Sequence, residues 1–140
     1  MAVNSELVER KIALVLEDVE RLRRLTSLPE EAYLADEIHE ALAERYLERA
    51  IGRILDVNYH LISETASVVP RDYADSFLKL ADIGVLPQDR AAHYARLAGL
   101  RNRITHEYNG LDVRLIHKAA RETVEEIPEL LRAYRAFLAR

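Results

Sequence analysis

Apolar residues recur every three to four positions along most of the chain, the spacing of helices that bury one face, and strand-like alternation is sparse. Five helices are expected. The first covers residues 5–25, with Val8, Ile12, Val15, Val19 and Leu22 on one side and Glu6/Arg10, Glu17/Arg21 and Glu20/Arg24 as i,i+4 ion pairs. Ser27-Leu28-Pro29-Glu30 has the form of a capping box, and it is expected to open a long second helix that ends near Ile62 or Ser63. Val68-Val69-Pro70 interrupts the pattern. A short third helix starts near Asp72, turns Tyr73, Phe77 and Leu80 to one face, and stops at Gly84. Leu86-Pro87 begins the fourth, with His93, Leu97, Leu100 and Ile104 as its stripe. Asn109-Gly110 signals a turn. Asp112 caps a fifth helix that turns Ile116, Ala120, Val124, Ile127, Leu131, Tyr134 and Leu138 inward, and Pro128 is expected to kink it. The pattern predicts an all-α fold, an antiparallel bundle of about five helices in a single domain over residues 1–140.

The second helix has two apolar faces. At 100° per residue, Leu34, Ile38, Ala41 and Leu42 cluster on one side, whereas Leu47, Ile51, Ile54, Asn58 and Leu61 cluster opposite. Such a helix either lies wrapped in the core on both sides or gives one face to the core and one to a partner subunit. A polar stripe of Arg45, Arg49, Arg53, Asp56 and His60 runs along it, and Arg45 falls amid the first apolar cluster. An arginine there snorkels to water, pairs with an acid, or lines a cleft.

Composition narrows the classes. With 140 residues, 49% hydrophobic and 31% charged, the chain suits one globular core. It contains no cysteine, so disulfides, thiolate metal sites and cysteine nucleophiles are excluded. No apolar run approaches the ~20 residues of a membrane span, and no signal segment is visible at the N-terminus, so a cytoplasmic protein without membrane contact is expected. The net charge of −4 argues against a general nucleic-acid coat. The charge is uneven, however: residues 90–106 carry Arg90, Arg96, Arg101 and Arg103 and no acid. An anionic ligand would be drawn there, although four arginines on one helix also make an ordinary solvated face.

The segment Arg101-Asn102-Arg103-Ile104-Thr105-His106-Glu107-Tyr108 falls where the fourth helix runs out. Histidine can take a proton from a ribose 2′-hydroxyl and return one to a leaving oxygen near neutral pH. Arginine stays charged and binds two phosphate oxygens at once, so it can stabilise charge building at phosphorus. The same residues also fit a plain helix end, with the basic side chains meeting its dipole and Tyr108 packing.

Arg101-x4-His106-x-Tyr108, with Asn102 after the arginine, resembles the Arg-x4-6-His motif of the HEPN superfamily and, in its longer form, the HepT-type toxins. The likeness extends to Pro70-Arg71-Asp72-Tyr73-Ala74-Asp75-Ser76-Phe77, to Gly84-Val85-Leu86-Pro87, to Leu97-Ala98-Gly99-Leu100 and to the stretch 45–62, and so covers most of the chain. The resemblance implies a homodimer, a metal-independent endoribonuclease with no cofactor, catalysis by Arg101 and His106, and a supporting role for Asn102. It also implies a minimal nucleotidyltransferase antitoxin that transfers AMP to Tyr108. A phenol carrying an adenylyl group two residues from His106 would add bulk and negative charge, blocking RNA and occupying Arg101. The alternative is a non-catalytic dimeric helical module that serves as partner or acceptor for the nucleotidyltransferase.

Geometry constrains the site. In one straight helix Arg101 and His106 point about 140° apart, whereas Asn102 and His106 share a face. A helix end or bend is therefore expected between Arg101 and Tyr108, or a composite site built from two subunits. Local positive potential for RNA would come from Arg96 and Arg103 joined by Arg45, Arg49 and Arg53 across one cleft. Asp36-x-x-His39 and Asp56-x-x-x-His60 have ligand-like spacing, but the paired Glu-x-x-His motifs of a di-metal bundle are missing, and no metal is expected. No Walker loop, Gly-x-Gly-x-x-Gly run or Gly-x-Ser-x-Gly elbow occurs. Few aromatics accompany the arginines, so a stacking platform for single strands is not expected.

Overall fold

The computed structural model describes residues 2–107 and 110–140, and all of its regular structure is helical. There are six helices among the described residues: α1 (Ser5–Thr26), α2 (Glu30–Leu34), α3 (Glu37–Ala66), α4 (Tyr73–Asp82), α5 (Gln88–His106) and α6 (Val113–Leu138). α3 is the central element. Its 30 residues span about 45 Å, and α1, α4, α5 and α6 all pack on it. Leu47, Ile51, Ile54 and Leu61 are fully buried along it, each contributing about 1.5–3 kcal/mol relative to an exposed side chain.

Local chemistry sets the ends. The Asn4 side chain accepts from the Leu7 N–H, Asp72 from Asp75, and Asp112 from Arg114, so each satisfies a donor at a helix N-terminus. α4 ends where Gly84 takes φ +86° and the Val85 N–H donates back to the Leu80 carbonyl, a left-handed closure that suits glycine.

The expected second helix is two helices. Asp36 accepts from the Ile38 N–H and restarts the chain as α3 after only five residues of α2. Ser27 does not open α2. It closes α1, its Oγ donating to the Arg23 carbonyl at 2.6 Å, and α2 begins with Pro29 as its N-cap. The reason is local: a residue before proline is disfavoured in the α region, so Leu28 cannot be a first helical residue. α3 also runs past Ser63 to Ala66, where Ser67 turns left-handed at φ +56°. Pro128 sits inside one unbroken α6.

The two-faced pattern resolves clearly. The face with Leu47, Ile51, Ile54, Asn58 and Leu61 is the core. On the other face Ile38 (59% exposed) and Leu42 (38%) meet solvent in the protomer. One buried polar chain crosses the core: Tyr134 Oη donates to Asn58 Oδ1, Asn58 Nδ2 donates to Ser76 Oγ, and Ser76 Oγ donates to the Tyr73 carbonyl.

Candidate active site

Arg101 lies in the last two turns of α5, half-buried against α3 and α4. Its guanidinium sits 5.5 Å from the centre of the Tyr73 ring. With Gly52, Leu55, Asp56 and Tyr59 of α3 and Tyr73 at the start of α4, it lines an open groove of 230 Å³. A Cβ at Gly52 would lie 3.7 Å from Arg101 Nε, an ordinary van der Waals contact, so the arginine's flank packs close to α3 here. Among the described residues no carboxylate lies within the 4.0 Å of an ion pair with Arg101, and its buried Nε has no hydrogen-bond partner. The other half-buried arginines, Arg21, Arg49, Arg53 and Arg90, are all paired. A buried donor without a partner is costly, so Arg101 is a cation held ready for an anion.

His106 is the last residue of α5 and is exposed. Glu107 follows in extended conformation, its N–H donating to the Arg103 carbonyl. The helix therefore ends within the motif, as expected, but only after His106. Arg101 and His106 both remain helical and point about 140° apart. Asn102 is exposed on the face of His106. Tyr108, expected to receive AMP, and Asn109 of the expected turn lie outside the described residues. Thr105 Oγ1 donates to Glu48 Oε2, and Arg45 pairs with the same carboxylate at 3.5 Å, so the end of α5 is tied to α3 beside Arg45.

The remaining arginines are divided among several surfaces of the protomer. Arg49 and Arg53 converge with Arg21 on Asp18, a fully buried carboxylate of α1, at 3.2, 2.7 and 3.0 Å. Asp56 and His60 of the polar stripe also meet the α1 side: Asp56 pairs with Lys11 at 2.9 Å, and His60 Nε2 accepts from the Asn4 N–H. Arg96 pairs with Glu126 and Glu122 of α6 and lines, with Arg103 and Lys118, a 310 Å³ groove between α5 and α6. Beside it, Arg90 and the Tyr94 hydroxyl both donate to Glu129, and these bonds hold the Glu129 carboxyl below its usual range.

Tyr73 is the groove residue that the spacing missed. Its i,i+4 relation to Phe77 suggested the core, yet it is 47% exposed and faces Arg101. Tyr59 packs edge-on to it, ring centres 6.1 Å apart. Burial first, then Tyr73, Asp72 and Asp75, push the Tyr59 phenol up, so it stays a neutral donor at pH 7. Among the described residues, no three His, Asp or Glu side chains are grouped so as to hold a metal ion.

The described residues form an all-helical bundle whose α5 carries the unpaired Arg101 and ends at the exposed His106, and comparison gives the family. Residues 15–134 match the model of the "Ribonuclease HepT-like" family, and the chain belongs to it. It is 24% identical over 132 residues to the "tRNA nuclease HepT" of Aphanizomenon flos-aquae (strain 2012/KM1/D3), covering 94% of this chain and 90% of that protein. It is 28% identical over 104 residues to a "Putative RNase" of Archaeoglobus fulgidus, covering 74% and 78%. Its fold matches the tri-AMPylated Shewanella oneidensis HEPN toxin, solved in complex with its MNT antitoxin, at TM-score 0.85 and 19% identity, covering 95% and 99%.

Proposed function

We propose that the protein is the toxin of a toxin–antitoxin pair, a homodimeric endoribonuclease that cuts RNA without a metal. The unpaired, half-buried Arg101 carries this reading. A guanidinium beside an open groove, with no carboxylate at ion-pair distance among the described residues, fits a phosphate, and it stabilises charge on the phosphoryl oxygens as the bond breaks. His106, exposed and one helix turn from Asn102, is the proton carrier. One imidazole takes the proton of a ribose 2′-hydroxyl, the 2′-oxygen attacks phosphorus, and the 5′-oxygen leaves with a proton from an imidazolium, giving a 2′,3′-cyclic phosphate. Since Arg101 and His106 diverge on one helix, the productive pair comes from two chains across a dyad. The uncovered Ile38 and Leu42 favour a subunit contact. Within such a cleft Arg103 supplies positive potential, and Arg45, Arg49, Arg53 and Arg96 contribute what their acid partners leave.

Regulation follows from the relatives. The matched solved toxin is tri-AMPylated and bound to an MNT antitoxin, and the acceptor in this chain is Tyr108, two residues after His106. AMP on Tyr108 would add bulk and negative charge two residues from His106 and close the site to RNA.

The test is cleavage of single-stranded RNA and tRNA by purified protein in EDTA. Wild-type protein is expected to cut in EDTA, and His106→Ala to lose cutting at least 100-fold while keeping its helical signal and dimeric mass. Undiminished cleavage by His106→Ala overturns the catalytic assignment, and loss of cutting in EDTA overturns the metal-free mechanism. Co-expression with a minimal nucleotidyltransferase should add AMP-sized mass to Tyr108. Addition of AMP to a protein that never cuts RNA would instead establish the acceptor module.

A further inference from the structure

We propose that the groove beside Arg101 is a nucleobase subsite, in which Tyr73 stacks one base next to the scissile phosphate and Asp56 selects a base with an exocyclic amino group. The proposal rests on the RNA-cleaving reading and names what that site holds. Three independent features meet there.

The first is an exposed aromatic in an unusual place. Tyr73 opens α4 with nearly half its surface in solvent, although it neighbours the buried Asp75, Ser76 and Phe77. Its ring already carries the Arg101 guanidinium near one face, and Tyr59 braces it edge-on. The backbone beneath is anchored, because the Tyr73 carbonyl accepts from Ser76 Oγ at 2.6 Å. A rigid, partly exposed ring next to an unpaired arginine is the arrangement by which proteins hold successive nucleotides: ring under base, cation on phosphate.

The second is size. At 230 Å³ the groove is smaller than the roughly 300–1,000 Å³ of pockets that enclose whole small molecules. It suits one planar base with the sugar and phosphate running outward over Arg101. Gly52 and Leu55 form its apolar floor.

The third is a directional acceptor at the rim. Asp56 Oδ2 is held by Lys11 at 2.9 Å, while Oδ1 has no partner among the described residues. A carboxylate fixed by one oxygen offers the other to an N–H donor. Cytosine presents an amino group at its 4-position, whereas uracil presents a carbonyl oxygen there. Asp56 therefore favours cytosine and repels the uracil oxygen.

Binding separates this proposal from the cleavage reading, because it is measured without turnover. Fluorescence anisotropy of labelled single-stranded oligo(C) and oligo(U) is read on full-length His106→Ala protein, with and without a second substitution. Tyr73→Leu is expected to weaken oligo(C) binding roughly tenfold, the scale of one lost base–aromatic stack, and Tyr73→Phe to restore it. Oligo(C) should bind more tightly than oligo(U), and Asp56→Asn should narrow that difference. Equal binding by Tyr73→Leu and its parent overturns the stacking role. Equal binding of oligo(C) and oligo(U) overturns the selection by Asp56. In otherwise wild-type protein, Tyr73→Leu should raise the KM for RNA. A fall in kcat with unchanged KM would instead make Tyr73 a positioning residue for Arg101 and overturn the subsite. If RNA cleavage itself proves absent while these binding differences hold, the subsite stands and the nuclease reading falls.

Discussion

Replacing Asp18 by alanine removes the carboxylate on which Arg21, Arg49 and Arg53 converge. Asp18 is wholly buried, and the three arginine side chains keep 39%, 32% and 24% of their exposure. The Arg53 contact, 2.7 Å and least exposed, counts as a hydrogen bond to a charged group, about 1.5–3 kcal/mol net. The other two are open enough to water to count as surface pairs, about 0–1 kcal/mol each. Together the loss is about 1.5–5 kcal/mol, offset little, since the freed guanidiniums regain hydration only in part. For 140 residues the entropy of unfolding is about 0.3 kcal/mol/K, so Tm should fall by roughly 5–17 °C. Differential scanning calorimetry of Asp18→Ala reads this directly. Arg24→Ala, which breaks only an exposed pair with Glu20, is the control and should shift Tm by less than about 2 °C. A shift for Asp18→Ala no larger than that of the control would refute the account of Asp18 as the tie between α1 and α3. The same variant frees Arg49 and Arg53 for an RNA cleft. If they line one, the dependence of RNA binding on salt should steepen by about one unit in the log–log slope.

Other substitutions reach different parts of the molecule. Tyr134→Phe removes the hydroxyl that satisfies buried Asn58 Oδ1 and should cost about 1–3 kcal/mol by urea denaturation, and Asn58→Ala should add little on that background. Burial, then Arg121, hold the His117 imidazole below its usual pKa against a smaller opposing effect of Glu30. The unfolded chain thus binds this proton first, so stability should fall as pH drops below about 6.5 toward the lower folded value, and His117→Phe should abolish that step in pH-dependent melts. Arg101→Lys keeps the charge but loses the planar fork over Tyr73, and it should reduce RNA cleavage at least tenfold at saturating substrate; parity with wild type would mean that charge alone suffices.

Much of the fold was legible because local signals agreed. In α1 the spacing Val8, Ile12, Val15, Val19, Leu22 matched the buried face, and in α6 the cap at Asp112 and the stripe from Ile116 to Tyr134 did the same. The break at Asp36 was hidden because apolar periodicity ran through it; the competing signal was a single side-chain cap. Arg49 and Arg53 read as part of a polar stripe that could line an RNA cleft, since the carboxylate they pair with is more than 30 residues away on another helix. Tyr73 was misplaced for a related reason: at the first position of a short helix, i,i+4 spacing to a core phenylalanine does not decide whether the ring falls over the core or beyond its edge. The chemistry at Arg101 and His106 was open on residue type alone and was favoured by the family resemblance, while spacing along a straight helix set the two apart. That Arg101, alone among the half-buried arginines of the described residues, lacks an acid at ion-pair distance emerged only from the packing.

The divergence of Arg101 and His106 along α5 has a quantitative corollary. If a working centre needs the guanidinium of one chain and the imidazole of another, a solitary molecule owns two halves that never meet. Cleavage would then rise with the square of protein concentration below the association threshold, and mixing Arg101→Ala with His106→Ala protein would rebuild one competent centre in each mixed pair. A poison of this design is harmless at low copy number, and its onset is set by crowding of like molecules rather than by substrate.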